Sequence, residues 1–113
     1  MPVAWDHSAF LAVDDDDAAI AVLSYINQKW SNSLFIVIGY VIPSRRRTGI
    51  YRALWEAIVA RAREMKIPKV VGATHPNNKA MRATARRLGR REVGIVLSFH
   101  VEAKDLPDGT LAS

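Results

Sequence analysis

Apolar residues in the first part of the chain occur as two short runs separated by a polar segment. The runs cover residues 10–13 and 19–26, and four consecutive aspartates, Asp14 to Asp17, lie between them. Aspartate favours turns over strands, so this pattern predicts a β-hairpin with an acidic, solvated tip. Consecutive acids point in different directions and lack the spaced oxygens and the glycine of a calcium loop, so we predict no metal site there.

The spacing of apolar residues changes twice in the middle of the chain. Residues 34–42 are apolar at both alternating positions and rich in β-branched residues, as a strand covered on both faces would be. Residues 69–74 form a second, shorter run of this kind. Between the runs, from Thr48 to Lys66, apolar residues recur at every third or fourth position, which predicts an amphipathic helix. A strand, a helix and a strand in this order favour a parallel, right-handed crossover.

The last third of the chain shows a second helix followed by a strand. Pro76-Asn77-Asn78 predicts a helix start, and Gly89 predicts its end. Residues 91–102 then alternate between apolar and polar positions, which predicts a final strand. The order β-β-β-α-β-α-β predicts an α+β (mixed α/β) fold. We expect loose ends at residues 1–9 and 104–113.

The composition is that of a small domain with its own core. Half of the 113 residues are apolar, which excludes disorder, and we predict one domain over residues 1–113. Cysteine is absent, and the longest apolar run is far shorter than the roughly 20 residues of a membrane span. The N-terminus lacks the basic and apolar segments of a signal peptide. We therefore expect a cytoplasmic protein without a membrane partner.

Charge is distributed unevenly along the chain. The formal net charge is +5, but residues 45–91 hold 14 of the 16 lysines and arginines with only two acids, a local net charge of +12. Such a field attracts polyanions, so the candidate partners are a phosphate-bearing cofactor, nucleic acid or an acidic protein face. Two solvated helix faces would produce the same pattern, and the charge count leaves both interpretations open.

An arginine-rich loop joins the buried strand to the long helix. Residues 41–54 read Val-Ile-Pro-Ser-Arg-Arg-Arg-Thr-Gly-Ile-Tyr-Arg-Ala-Leu, with Gly49 just before the helix. Unpaired N–H groups at a helix start, the positive end of the helix dipole and nearby guanidinium groups converge on phosphate. Glycine lets the backbone approach a ligand closely. The loop is therefore a candidate site for a phosphate or pyrophosphate.

Two ordered motifs resemble those of the GNAT superfamily of N-acetyltransferases. The family's coenzyme A loop, Gln/Arg-x-x-Gly-x-Gly/Ala after a strand, is similar to residues 46–51, Arg-Arg-Thr-Gly-Ile-Tyr. Residues 78–89 are similar to the family segment that begins with Asn-x-x-Ala/Ser and ends with Leu-Gly. The resemblance covers residues 10–101. It implies a GNAT-like central mixed sheet, with acetyl-CoA bound between splayed strands and its pyrophosphate on the loop.

The resemblance also implies a set of cofactor-binding positions. Strand backbone groups would meet the pantetheine arm, the loop and the first helical turn would surround the pyrophosphate, and Asn78 would bond to the pantetheine arm or cap its own helix. The implied positions are Gly39, Tyr40, Val41, Arg46, Arg47, Thr48, Gly49, Ile50, Tyr51, Arg52 and Asn78.

The chain departs from the family pattern at three positions. Tyr51 stands where the loop usually ends in a small residue, and it would crowd the phosphates or stack on the cofactor. Ala73 and Ala85 stand where many members carry a general base and a general acid. Direct attack by an amine on a thioester needs mainly positioning and a proton path through water. The replacement catalytic residues that we predict are His75 and Tyr40, whose alternative roles are turn residue and packing residue.

The leading hypothesis is a minimal acyltransferase that moves acetyl from acetyl-CoA to a primary amine. The usual strand and two helices before the hairpin are missing, so we expect an open site that suits a macromolecular acceptor, for example a protein. One alternative is a catalytically inactive fold that binds coenzyme A or a partner. A second is nucleic-acid binding through a basic stripe on the second predicted helix, although no aromatic residues interleave with it. The stripe consists of Lys79, Arg82, Arg86 and Arg90.

Both faces of the predicted sheet are apolar, yet the sequence predicts only two helices to cover them. Because a large exposed apolar patch is uncommon on a soluble monomer, we predict a homodimer whose interface covers the remaining face. The alternative cover is a lid formed by the two ends of the chain.

Overall fold

A computed structural model describes residues 7–94, 97–99 and 101–102 of the chain. They form a four-stranded mixed sheet and two α-helices, so four of the five predicted strands and both predicted helices are present. In chain order the elements are β1 (His7–Val13), β2 (Ala19–Gln28), β3 (Ser33–Val41), α1 (Ile50–Glu64), β4 (Lys69–Gly72) and α2 (Lys79–Arg87). The strands lie in the order β1-β2-β3-β4, and only β3 and β4 are parallel. Within the described ranges, no helix is long and apolar enough to cross a bilayer.

The acidic segment forms the tip of the β1–β2 hairpin. The Asp14 carboxylate accepts hydrogen bonds from the backbone N–H groups of Asp16 and Ala18, at 2.9 and 3.0 Å. Asp17 takes the left-handed conformation with φ of 62°, which aspartate tolerates in turns. The first carboxylate of the run therefore closes the turn.

The N-terminal boundary of the sheet differs from the expectation. β1 begins at His7, which pairs with Ile26, so residues 7–9 belong to a strand and not to a loose end. The reason is that β2 extends far enough to give these residues an antiparallel partner. The other residues expected to be loose, 1–6 and 104–113, lie outside the described residues.

The final strand predicted over residues 91–102 is not formed in the described part of that segment. Leu97 and Phe99, two of its alternating apolar residues, are 90% and 85% exposed. Alternation produces a strand only where a neighbouring edge accepts its hydrogen bonds. One edge of the sheet is β4, which has only four residues and would leave most of a longer strand without partners.

The core lies between α1 and one face of the sheet. Leu23 of β2, Leu34 of β3 and Ile58 of α1 are fully shielded from solvent. The helix also buries Leu54 and Ala62, because residues four positions apart share one helix face. Burying a large apolar side chain contributes roughly 1.5–3 kcal/mol. This packing fixes α1, and therefore its N-terminal turn, against β3.

The opposite face of the sheet is apolar and partly uncovered. Leu11, Val22 and Tyr40 are cross-strand neighbours in one row, and Leu11 is 61% exposed. Ile38, two positions before Tyr40 on β3, is exposed on the same side. We name this surface, defined by these four residues, the open face. α2 buries none of its own residues, and the described elements leave the open face to solvent.

Contacts at both ends hold α2 in place. Asn78 caps its start, because the Asn78 side-chain oxygen accepts a hydrogen bond from the backbone N–H of Met81 at 3.1 Å. Gly89 ends it with φ of 82°, as predicted. Arg82 donates to both carboxylate oxygens of Glu92, at 2.6 and 3.1 Å, and to the Pro76 carbonyl oxygen at 2.9 Å. Arg82 thus joins the helix to the segment before it and to the segment after it.

The Arg82–Glu92 pair implies a pH effect. The hydrogen bonds and charge of Arg82 hold the pKa of the Glu92 carboxyl below its ordinary value. A carboxyl group with a lowered folded-state pKa stabilises the fold above its unfolded pKa, and this contribution is lost as the pH falls through the folded-state pKa. Because the pair is solvent-exposed, we expect little change in the free energy of global unfolding. The effect should instead be visible in an NMR titration of the carboxyl group.

In a carboxyl NMR titration we expect Glu92 to have a midpoint below the ordinary glutamate value of about 4.3. Arg82→Met removes the donor and the charge, so the midpoint should return to that value. A midpoint that does not move in the variant would contradict the pairing.

Candidate functional site

β3 and β4 separate halfway along β3. Their parallel pairing ends at Ile36 and Gly72, while β3 continues to Val41. Exposure changes at the same point, because residues 33–36 are mostly buried and residues 37–40 are exposed. Beyond this point, which we name the fork, the edge of β3 that faced β4 has backbone N–H and C=O groups free for a ligand.

A β-bulge accounts for the fork. The pairing between β2 and β3 passes from Ser24–Ile38 to Tyr25–Ile36, so Val37 has no partner on β2. A bulge bends its strand and increases the local twist. β3 therefore turns away from the line of β4 directly after the last pair that the two strands share.

The loop after β3 presents backbone amides at the start of α1. Arg47 and Gly49 adopt the left-handed conformation, with φ of 64° and 85°, and the Thr48 hydroxyl between them donates to the Arg45 carbonyl oxygen. Gly49 is the N-cap of α1, no side chain caps the helix, and its first turn contains no acid. Amides in such a turn and at a helix start form a concave anion site. The loop can therefore hold a phosphate.

Arg46 is directed toward the end of β3. Its Nε donates to the Val41 carbonyl oxygen at 2.9 Å, and its guanidinium carbon lies 5.4 Å from the centre of the Tyr40 ring. Tyr40 belongs to the open face, so this contact covers part of that side of the strand end. Arg46 and Arg47 are both exposed. They differ in that Arg46 bonds to the end of β3.

Tyr51, in the first turn of α1, lies beside the fork. A Cβ atom on Gly39 would be 3.1 Å from the Tyr51 ring, so the glycine provides the space that the ring fills. Arg90 donates from Nη1 to the Tyr51 hydroxyl at 3.4 Å and stacks on Trp55, 4.7 Å from the ring centre. Its Nη2 lies 3.2 Å from the position of a Cβ on Gly72. Tyr51 and Arg90 together reach from β3 to β4 on the α1 side of the sheet.

The Tyr51–Arg90 contact is absent from the sequence-based expectations. They treat Tyr51 as a departure from the loop pattern and Arg90 as one cation of a basic stripe. The two residues are 39 positions apart, and no local spacing relates them. The same contact divides the stripe, because Arg90 turns to Tyr51 while Arg82 binds Glu92.

His75 and Asn78 lie on the exposed turn between β4 and α2. His75 Nδ1 accepts the backbone N–H of Asn77 at 3.0 Å. A neutral imidazole that accepts at Nδ1 carries its proton on Nε2, so a proton taken up at Nδ1 has to displace this bond. Asn78 uses its side-chain oxygen as the helix cap and keeps its amide N–H groups for another acceptor.

Solved structures share this fold. The chain resembles the aminoglycoside N-acetyltransferase AAC(6')-Iy in complex with CoA, with a TM-score of 0.78 and 20% identity, covering 88% of this chain and 79% of that one. The chain also resembles the aminoglycoside antibiotic 6'-N-acetyltransferase AAC(6')-Ih from Acinetobacter baumannii, with a TM-score of 0.71 and 23% identity, covering 86% of this chain and 71% of that one. For the tetramutant of the BH1408 protein from Bacillus halodurans, the TM-score is 0.73 and the identity 16%, covering 85% of this chain and 67% of that one. None of the curated proteins matches the sequence.

A sequence model of the acetyltransferase (GNAT) family matches residues 3–89. That range contains the hairpin, the arginine-rich loop, the fork and α2, and with them every cofactor-binding position that the family resemblance implies. The family's enzymes are N-acetyltransferases with acetyl-CoA as co-substrate, so enzyme class and co-substrate agree with the expectation from the two motifs. The chain belongs to the acetyltransferase (GNAT) family.

Proposed function

We propose that this protein transfers the acetyl group of acetyl-CoA to a primary amine. The observation that carries the proposal is that the free edge of β3 leads from the fork to the arginine-rich loop. Five residues, 37–41, form this edge. At about 3.3 Å per residue they span roughly 17 Å, a length that suits an extended pantetheine arm.

The residues present fit the coenzyme at both ends of this edge. The pantetheine arm would pair with the backbone of Gly39, Tyr40 and Val41, as a missing strand would. The pyrophosphate would lie on the uncapped start of α1, where free amides and guanidinium groups bind anions. The positions proposed for the phosphates are Arg46, Arg47, Thr48, Gly49, Ile50, Arg52 and the backbone N–H of Tyr51, and Asn78 is proposed for the pantetheine arm.

The proposed acceptor is a macromolecular amine that approaches from the open face. Ile38 and Tyr40 line that side of the fork and are 54% and 47% exposed, which leaves room for a large substrate. A thiol-release assay with small amines, polyamines and lysine-containing peptides tests this proposal. Binding of acetyl-CoA without thiol release for any amine would support the inactive coenzyme-binding module instead.

We expect Gly49→Val to weaken acetyl-CoA binding, because a side chain at the N-cap of α1 would occupy the place of the phosphate. Calorimetry should show at least about a tenfold loss of affinity, the value of one lost charge-assisted hydrogen bond.

Gly89→Val is the matched control for this variant. Gly89 has nearly the same φ, 82° against 85°, and a Cβ added to either glycine would meet no neighbouring group within 4 Å. Both variants should therefore lose similar conformational stability, roughly 1–3 kcal/mol, while Gly89→Val keeps its affinity. Equal acetyl-CoA affinities in the two variants would contradict the loop assignment.

We propose His75 as the group that removes a proton from the incoming amine, and His75→Asn tests it. Asparagine can accept the Asn77 N–H and so preserve the turn, but it cannot act as a base near neutral pH. Both His75→Asn and His75→Ala should lower kcat on the order of 10²-fold and remove an ionisation from the pH–rate profile. Full activity of His75→Asn would show that His75 only stabilises the turn and is not the base.

We further propose that a second copy of the chain covers the part of the open face that β1 and β2 form, and leaves the part at Ile38 and Tyr40 to the acceptor. Leu11 is exposed on this part of the surface, beside Val22 in one row. A two-fold interface needs one self-complementary patch, and a flat apolar sheet face meets this condition.

We expect light scattering at micromolar concentration to give the mass of a dimer. Leu11→Lys, on the β1 side of the open face, should give a monomer. Trp30→Lys is the control, because Trp30 is 84% exposed but lies on the turn between β2 and β3. A monomer mass for the unaltered chain, unchanged when residues 1–7 are removed, would refute the dimer.

A further inference from the structure

We infer that Tyr51 is the general acid that protonates the sulfur of coenzyme A as it leaves, and that Arg90 orients its hydroxyl group. The inference rests on the proposed function and names a group for one of its steps. Ala85 occupies the position at which many family members carry an acid. The hydroxyl that the fold brings to the fork comes instead from the first turn of α1.

The Tyr51 ring is held at a defined place. Gly39, on the free part of β3, lies against it with a Cβ position only 3.1 Å from the ring. The ring is partly buried and packs on the core that anchors α1. Its hydroxyl therefore stays on the α1 side of the free edge along which the pantetheine arm is proposed to lie.

Arg90 determines which way the hydroxyl points. A guanidinium group only donates hydrogen bonds, so in the 3.4 Å contact the Tyr51 oxygen is the acceptor. The hydroxyl hydrogen must then point away from Arg90 and is free to meet an acceptor in the fork. Stacking on Trp55 and the contact with Gly72 hold the guanidinium in turn.

The chemistry balances with one proton supplied by Tyr51. The amine nitrogen forms a bond to the acetyl carbon, and the C–S bond breaks with its electron pair on sulfur. Tyr51 gives its proton to the sulfur, so that a neutral thiol leaves. The proton lost by the amine passes to His75, the proposed base, and Tyr51 regains one from solvent. Between these transfers the positive charge of Arg90 stabilises the phenolate.

Binding of the product tests the contact without turnover. Coenzyme A has the sulfur that Tyr51 is inferred to meet, whereas desulfo-coenzyme A lacks it and keeps the rest of the molecule. We expect the unaltered protein to bind coenzyme A about fivefold more tightly, the worth of one hydrogen bond of roughly 1 kcal/mol. Tyr51→Phe should abolish this preference.

Tyr25→Phe is the matched control. Tyr25 is buried and pairs with Ile36 through its backbone, but its ring stacks on Phe10 of β1 and its hydroxyl meets an arginine, Arg61, near the C-terminal end of α1. Removing its hydroxyl should leave the preference for coenzyme A intact.

Turnover gives a second readout. Tyr51→Phe should lower kcat on the order of 10²-fold, leave the KM for acetyl-CoA little changed and remove the solvent deuterium isotope effect on kcat. Arg90 is a positioning residue, so Arg90→Met should lower kcat while the isotope effect persists. Arg90→Lys, which keeps a charged donor, should recover part of the loss.

The outcomes separate this inference from the proposed function. If no amine is acetylated but Tyr51→Phe abolishes the preference for coenzyme A, the proposed function fails and the contact stands. If amines are acetylated and Tyr51→Phe keeps both its kcat and the preference, the inference alone is overturned. An inactive protein that binds both coenzyme forms equally overturns both.

Discussion

The separation of β3 from β4 is the constraint on which the candidate site depends. The two strands share hydrogen bonds up to Ile36 and Gly72, and the bulge at Val37 then bends β3 away. An inner strand normally satisfies its backbone groups on both edges. Here one edge has no neighbouring strand over five residues, and the Val41 carbonyl oxygen at its end accepts a bond from Arg46. A ligand that pairs with this edge restores hydrogen bonds that the fold has given up.

The position of α1 follows from its packing, and the chemistry of the site follows from that position. Leu54 and Ile58 hold the helix against the sheet, about one and two turns after its start. Because a helix is stiff, these contacts also fix Gly49 at the end of β3 and Tyr51 beside the fork. The same apolar face therefore places an anion site at the end of one strand edge and a hydroxyl group near the middle of that edge. Gly39 completes the arrangement, since any side chain there would crowd the ring.

Several cations of the basic half of the chain are bonded within the protein. Arg82 binds Glu92, Arg46 bonds to the end of β3, and Arg90 reaches into the fork. Arg46 is exposed although it makes this bond, as is its neighbour Arg47. A net charge therefore does not identify a nucleic-acid surface here, because several of its cations already serve the fold.

The sequence by itself determined the elements whose signals are local. The hairpin, α1 and the arginine-rich loop each depend on residues within one segment, where periodicity, turn formers and a single glycine are sufficient. The final strand over residues 91–102 could not be decided in this way, because alternation does not supply a partner edge. The bulge at Val37 and the Tyr51–Arg90 contact are likewise outside the reach of local patterns. Only the tertiary structure decided where β3 leaves β4 and which side chains meet at the fork, because both depend on pairing between residues that are distant in the chain.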